Sequence, residues 1–173
     1  MGLIAAVFVA GFAALVIVDA RQKAASSPPD EVQTYDVGPA GDHTEGDVDY
    51  AQSPPAGGAH NPAWQNCGFY AEPVRNETAV HSLEHGAVWI THLPDLPQDE
   101  VETLRDLAQS NNFVLVSPYS DQSSPVVASA WGKQLSLDSA DDPDLERFIN
   151  AYSQGPQTPE PGAACTGGVG DPA

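Results

Sequence analysis

The stretch TAVHSLEHGAVWITHL, residues 78 to 93, gathers three of the chain's five histidines around a glutamate. His81, Glu84 and His85 spell H-x-x-E-H, the pattern of an inverted zinc-peptidase motif, in which imidazoles hold the metal and the carboxylate activates a bound water. Three fixed residues specify little by themselves, so the spacing has to be read against the backbone. On a helix, His81 and His85 lie one turn apart with Cβ atoms about 6 Å from each other, within reach of one ion. On a strand they share a face but stand about 13 Å apart, too far for one ion. Asn76 as a cap and Gly86 as a stop predict a helix over 77–85. His60, on a loop stiffened by proline and glycine, is then the natural third ligand, with His43 and His92 in reserve. Three imidazoles without a nearby cysteine or methionine suit copper(II) or zinc. They must be neutral to ligate, so binding should weaken below about pH 6. Glu84 is expected behind the ligands, accepting an N–H from a ligating ring and fixing its tautomer.

Two other readings compete with this one. A zinc hydrolase needs a downstream carboxylate and a helix that continues beyond the motif, whereas Gly86 and the β-branched run after it stop this helix at once. No residue is therefore assigned a catalytic role. Alternatively, the histidines and Glu84 hydrogen-bond one another as a buried polar clasp. That version belongs to an interaction module, an accessory or assembly subunit of a membrane or cell-envelope complex, which needs an exposed apolar or aromatic patch to meet a protein partner.

The elements that must position these side chains follow from periodicity. GAVWITHL reads as a strand, with Val88, Ile90 and His92 on one face and Trp89 and Thr91 on the other. PQDEVETLRDLAQS is an amphipathic helix opened by Pro97, with Val101, Leu104, Leu107 and Ala108 as its apolar stripe. FVLVSP and PVVASAW are two further strands. DDPDLERFINAYSQG is a second long helix, with Asp142 at the N-cap, Pro143 at the first position and Gly155 just past the end. Leu145, Phe148, Ile149 and Tyr152 form its buried face. The predicted class is α+β: a small mixed or antiparallel sheet with two helices packed on one face, preceded by one N-terminal transmembrane helix.

That last expectation rests on GLIAAVFVAGFAALVIV, residues 2 to 18, which carries no charge and is just long enough to span a bilayer upright. Arg21 and Lys23 behind it are a weak vote for a cytoplasmic domain. The cysteines vote the other way. Cys67 and Cys165 form no C-x-x-C pair, and an even count behind an export-type segment favours one disulfide and an extracytoplasmic domain. Six Lys and Arg against 24 Asp and Glu give a formal net charge of -18, which repels phosphate backbones, so nucleic acid is excluded as a partner. The same field gathers cations. The expected layout is an anchor over 1–20, a flexible linker over 21–45, a globular domain over 46–155, and a glycine- and proline-rich tail over 156–173 tied down by the disulfide.

SPPAGGAH, HSLEHGAVWITHLP and VVASAWG, in that order and followed by FINAYSQG and a late glycine-cysteine tail, resemble the bacterial domain-of-unknown-function family 3105. The matching positions are His60, the run His81, Glu84, His85 and Gly86, and Trp131–Gly132. The resemblance covers nearly everything after the linker. It implies an exported or membrane-anchored domain and carries no activity with it. The chain departs from the family in lacking a basic stretch before its apolar segment.

Overall fold

The computed structural model describes residues 27 to 173. The anchor expected over residues 1–20 lies outside them. Among the described residues no helix is long and apolar enough to cross a membrane.

The strands are β1 (Gln33–Thr34), β2 (Gly68–Phe69), β3 (Val88–His92), β4 (Val114–Pro118), β5 (Val126–Ala130) and β6 (Lys133–Leu137). The helices are α1 (Asn76–Glu84), α2 (Gln98–Ser110) and α3 (Pro143–Tyr152). One mixed sheet results, in the order β1-β6-β5-β3-β4-β2. Strands β3, β4 and β2 run parallel, with α2 as the crossover from β3 to β4, while β5, β6 and β1 add antiparallel. The class expected from the sequence holds, and the sheet is larger than its three legible strands.

Alternation along the central strands covers both faces of the sheet. Val88 and Ile90 of β3, Val114 and Val116 of β4, and Val126 and Ala128 of β5 point to one side. There they meet Leu104 of α2 and Leu145, Phe148 and Ile149 of α3. This is the expected pair of helices on one face. The intervening Trp89 and Leu115 point to the other side, where Ala79, Val80 and Leu83 of α1 cover them. Helix α1 thus lies alone on the second face, and with it the histidine motif. Cores of this kind feel single truncations strongly, through lost burial and the cavity left behind.

Local chemistry explains the helix ends. In α3 the Asp142 carboxylate accepts from the Asp144 N–H at 2.9 Å, and Pro143 occupies the first turn, as the sequence predicts. In α1 the cap expected at Asn76 is replaced: Arg75 is the N-cap and makes no side-chain cap bond, and Asn76 starts the helix. Gly86 ends it with φ +93, a left-handed conformation in which a side chain is strained. A Cβ there would also stand 2.5 Å from Gln154 Nε2 and 2.9 Å from Thr158 Cγ2.

Two expectations on organisation change. Residues 33–45 are not a free linker: β1 pairs with β6, the Tyr35 N–H donates to the Gly132 carbonyl, and the following loop lies against α1. The tail is held by more than its cysteine. The Asn66 N–H donates to the Val169 carbonyl, and the Ala173 N–H to the Phe69 carbonyl. Cys67 and Cys165 stand at disulfide distance with Cα atoms 5.4 Å apart, and the Cys67 N–H donates to the Cys165 carbonyl.

Candidate metal centre

Glu84, the last residue of α1, is fully buried, which a carboxylate tolerates only with partners. Its Oε1 accepts the Gly41 N–H at 2.6 Å. Its Oε2 faces three imidazoles: His60 Nε2 at 3.0 Å, His43 Nε2 at 3.9 Å and His81 Nε2 at 4.0 Å. One ligand atom from each of these four residues lies within 4.8 Å of every other, so the cluster could hold a metal ion.

The backbone around the cluster is braced from three directions. Residues 42–44 and 60 form a short parallel bridge, with the His60 N–H donating to the Asp42 carbonyl and the Thr44 N–H to the His60 carbonyl. Two buried carboxylates of α1, seven residues apart, pin both ends of the loop that carries His43. Glu84 takes the Gly41 N–H, and Glu77 takes the Val48 N–H at 2.9 Å. Burial works against the Glu77 carboxylate, yet the bonds from Val48 and its own backbone, and Arg75 beside it, outweigh that and hold its pKa below the usual range. Trp131 closes the floor, its ring edge-on to His60 at 5.8 Å, from the two-residue turn between β5 and β6.

The ring nitrogens are not equivalent. His60 Nδ1 lies 2.7 Å from the Gly58 carbonyl, and His81 Nδ1 lies 2.7 Å from the Asn61 carbonyl. A carbonyl only accepts, so both Nδ1 atoms carry the proton and donate. In the neutral rings Nε2 is therefore a bare lone pair. Burial, ahead of every other cause, pushes the His81 pKa down to about 4, with His85 and His60 adding to the fall against the Asn61 bond and Glu84. His81 is thus neutral at pH 7, and its lone pair turns toward a carboxylate. Oriented lone pairs of imidazole beside a carboxylate oxygen form a donor set for a cation, with Nδ1–H bonds to backbone fixing the tautomers.

The His81 shift has a consequence for the metal-free chain. Unfolded, its imidazole protonates near pH 6.5; folded, only near 4. Stability from this group is complete above about 6.5, falls as the pH drops between the two values, and is flat below 4. Urea midpoints measured in chelator from pH 7 down to 4.5 should show a loss of about 1–3 kcal/mol. A flat profile over that window would remove His81 from its buried setting.

The residues expected from the sequence are distributed unequally. His60 and His81 come together, and the reserve His43 joins them. His85 does approach His81, ring to ring at 4.5 Å, but it caps the helix outside the group. Its Nδ1 donates to the Ala164 carbonyl at 2.7 Å, and its Nε2 faces Glu160 at 3.6 Å. His92 lies at the end of β3, its Nδ1 bonded to the Leu93 carbonyl, and is not in the cluster. Glu84 points its own oxygen into the donor set. The i, i+3 spacing from His81 to Glu84 was the signal for this, since it puts both on one helix face.

The comparisons with known proteins add one finding. The family model described as protein of unknown function (DUF3105) matches residues 43–167. The chain belongs to that family. No curated protein and no solved structure matches it. The DUF3105 match begins at His43, so the first ligand candidate falls inside the family's own span. The three sequence pieces that carried the resemblance meet in space: His60 from the first lies beside His81 and Glu84 from the second, and Trp131 from the third packs edge-on against His60.

Proposed function

We propose that this DUF3105 chain binds one copper(II) or zinc ion through His43, His60, His81 and Glu84, on a membrane-anchored domain that faces an oxidising compartment. The observation that carries the metal reading is the convergence of three imidazole Nε2 atoms on Glu84 Oε2, with the Nδ1 protons of His60 and His81 already committed to carbonyls. Imidazole and carboxylate donors without thiolate suit these two ions. Tetrahedral ligands at about 2.1 Å from zinc stand roughly 3.4 Å apart, so the group closes by small side-chain movements. With Glu84 inside the donor set, none of these four residues is left to activate a water, which favours binding over hydrolysis. The only exposed large hydrophobic side chain among the described residues is Val169, so the accessory-subunit reading lacks the apolar patch it needs. The placement is supported by the charge-free run over residues 2–18 and by the cysteine pair at disulfide distance, a feature of oxidising compartments.

Elemental analysis of the purified chain after loading and desalting tests the reading. One equivalent of copper or zinc per chain is expected, with quenching by copper(II) of fluorescence from Trp64 and Trp131, whose rings pack on His81 and His60. No retained ion under any loading condition refutes it.

A further inference from the structure

Three of the four candidate ligands are enclosed, and one is not. The side chains of His60 and Glu84 are wholly buried and that of His81 is 6% exposed, whereas that of His43 is 41% exposed. The rings of His60 and His81 are each fixed by an Nδ1–H bond to a backbone carbonyl. Among the described residues the His43 ring makes no hydrogen bond; it stacks on His81 at 5.1 Å and meets His60 edge-on at 4.9 Å. Its backbone, in contrast, is clamped by the bridge to residue 60 and by the bonds from Gly41 and Val48 to the two buried glutamates. Only the side chain is left free to turn, about its own χ1 and χ2, on a fixed stem. Along the chain on either side of it Asp36, Asp42, Glu45, Asp47 and Asp49 are all exposed, and among the described residues only Asp47 has an ion-pair partner, Arg75, so the segment that carries this corner is net anionic.

We infer that His43 is the exchange ligand of the site, and that the bound ion is cargo which enters and leaves through this ring. The inference rests on the metal reading above and goes further, assigning the site to a carrier. A buried cage with four fixed ligands would hold its ion permanently. Here three ligands remain in place while the fourth swings out and vacates a coordination position facing solvent. The step is ligand substitution: an acceptor's nitrogen or carboxylate oxygen donates a lone pair to the ion as the His43 Nε2–metal bond breaks. Oxidation state does not change, and no proton moves when the incoming imidazole is neutral. The acceptor chemistry that fits is a histidine- or carboxylate-bearing site able to reach the corner at residue 43. The acidic rim attracts free or loosely held cations and brings them to the open position.

The full chain loaded with one equivalent of zinc provides the test, with EDTA and then imidazole as the acceptor probes. In the parent, the release rate should rise with acceptor concentration, because the acceptor attacks before the ion departs. His43→Ala should retain one equivalent on the three remaining ligands but release it roughly tenfold or more faster. His60→Ala should retain none. A release rate in the parent independent of acceptor concentration overturns the exchange role without using any variant. So does a His43→Ala chain, shown folded by circular dichroism, that loses the ion as completely as His60→Ala. Either result leaves the metal reading standing, whereas a parent that never holds an ion ends both.

Discussion

Glu84→Gln should weaken zinc binding by at least two orders of magnitude and at the same time leave the metal-free chain as stable as the parent or more so. The two halves of this result come from one geometry. The glutamine Oε1 keeps the Gly41 N–H bond, while its amide nitrogen takes the place of Oε2, 3.0 Å from His60 Nε2. That Nε2 is a lone pair in the neutral ring, because Nδ1–H is spent on the Gly58 carbonyl. An amide N–H supplies the donor that a carboxylate lacks, worth about 0.5–1.5 kcal/mol. The ion, however, loses its one anionic ligand. A quarter share of the 10–16 kcal/mol typical of structural zinc is roughly 3 kcal/mol or more, at least two orders of magnitude in affinity. His60→Ala removes a ligand without supplying a donor, so it should lose the ion and gain no stability. Isothermal titration with zinc and urea unfolding in chelator measure the two halves separately. If Glu84→Gln instead destabilises the metal-free chain by 3–5 kcal/mol, about the cost of breaking a buried ion pair, then His60 is an imidazolium and the cluster is a salt-bridged clasp. An unchanged zinc affinity in the same variant would remove Glu84 from the donor set.

Reducing the Cys67–Cys165 link, or replacing both cysteines by serine, should cost about 4–5 kcal/mol of stability. The cysteines are 98 residues apart, and closing a loop of that length removes this much entropy from the unfolded chain. The cost spreads to the metal centre, because the pinned tail packs against the motif. The Ala164 carbonyl orients His85, the Glu160 N–H donates to the Glu84 carbonyl, and the Gln154 amide donates to the carbonyl of His85. Denaturant midpoints with and without reductant give the stability term. An unchanged midpoint on full reduction, with both thiols alkylated, would show that the backbone bonds at Asn66 and Phe69 hold the tail without the link.

The sequence was most informative where apolar periodicity and special residues agree. The strands over Val88–His92, Val114–Pro118 and Val126–Ala130 are rich in small and β-branched apolar residues, both long helices carry apolar stripes, and α3 carries a side-chain cap, none of which needs tertiary help. Strand β6 is harder to see. Its Gln134 is buried, made acceptable by donating to Ser129 Oγ across the hairpin and to the Pro54 carbonyl, which lies 80 residues away in sequence. Strands β1 and β2 are two residues each and exist only because the sheet is there to receive them. For the site, the helix spacing placed His81 beside His85 as expected. The direction of a ring nitrogen depends on which carbonyl its other nitrogen meets, and that carbonyl, Ala164 for His85, lies 79 residues away. His43 stayed in reserve for a related reason. The segment around it is rich in glycine, proline and acids and buries almost nothing apolar, so it reads as linker. It is held instead by backbone N–H bonds to two glutamates, a kind of attachment that hydropathy does not register.

The short outer strands have a consequence for how copies of this domain behave when crowded together. An exposed strand edge is a template on which another chain can add, and long flat edges lead to fibres. This sheet ends on both sides in strands of only two residues, β1 and β2. Next inward on one side, β4 ends in Pro118, which has no N–H to offer, and on the other β6 begins with Lys133, whose ammonium is tied to Thr34 Oγ1. A second copy finds only a short ladder to extend, such as Leu135–Leu137 of β6 beyond the two residues that β1 covers, and a formal charge of -18 on each chain opposes its approach. The domain is therefore built to be packed densely without sticking to itself.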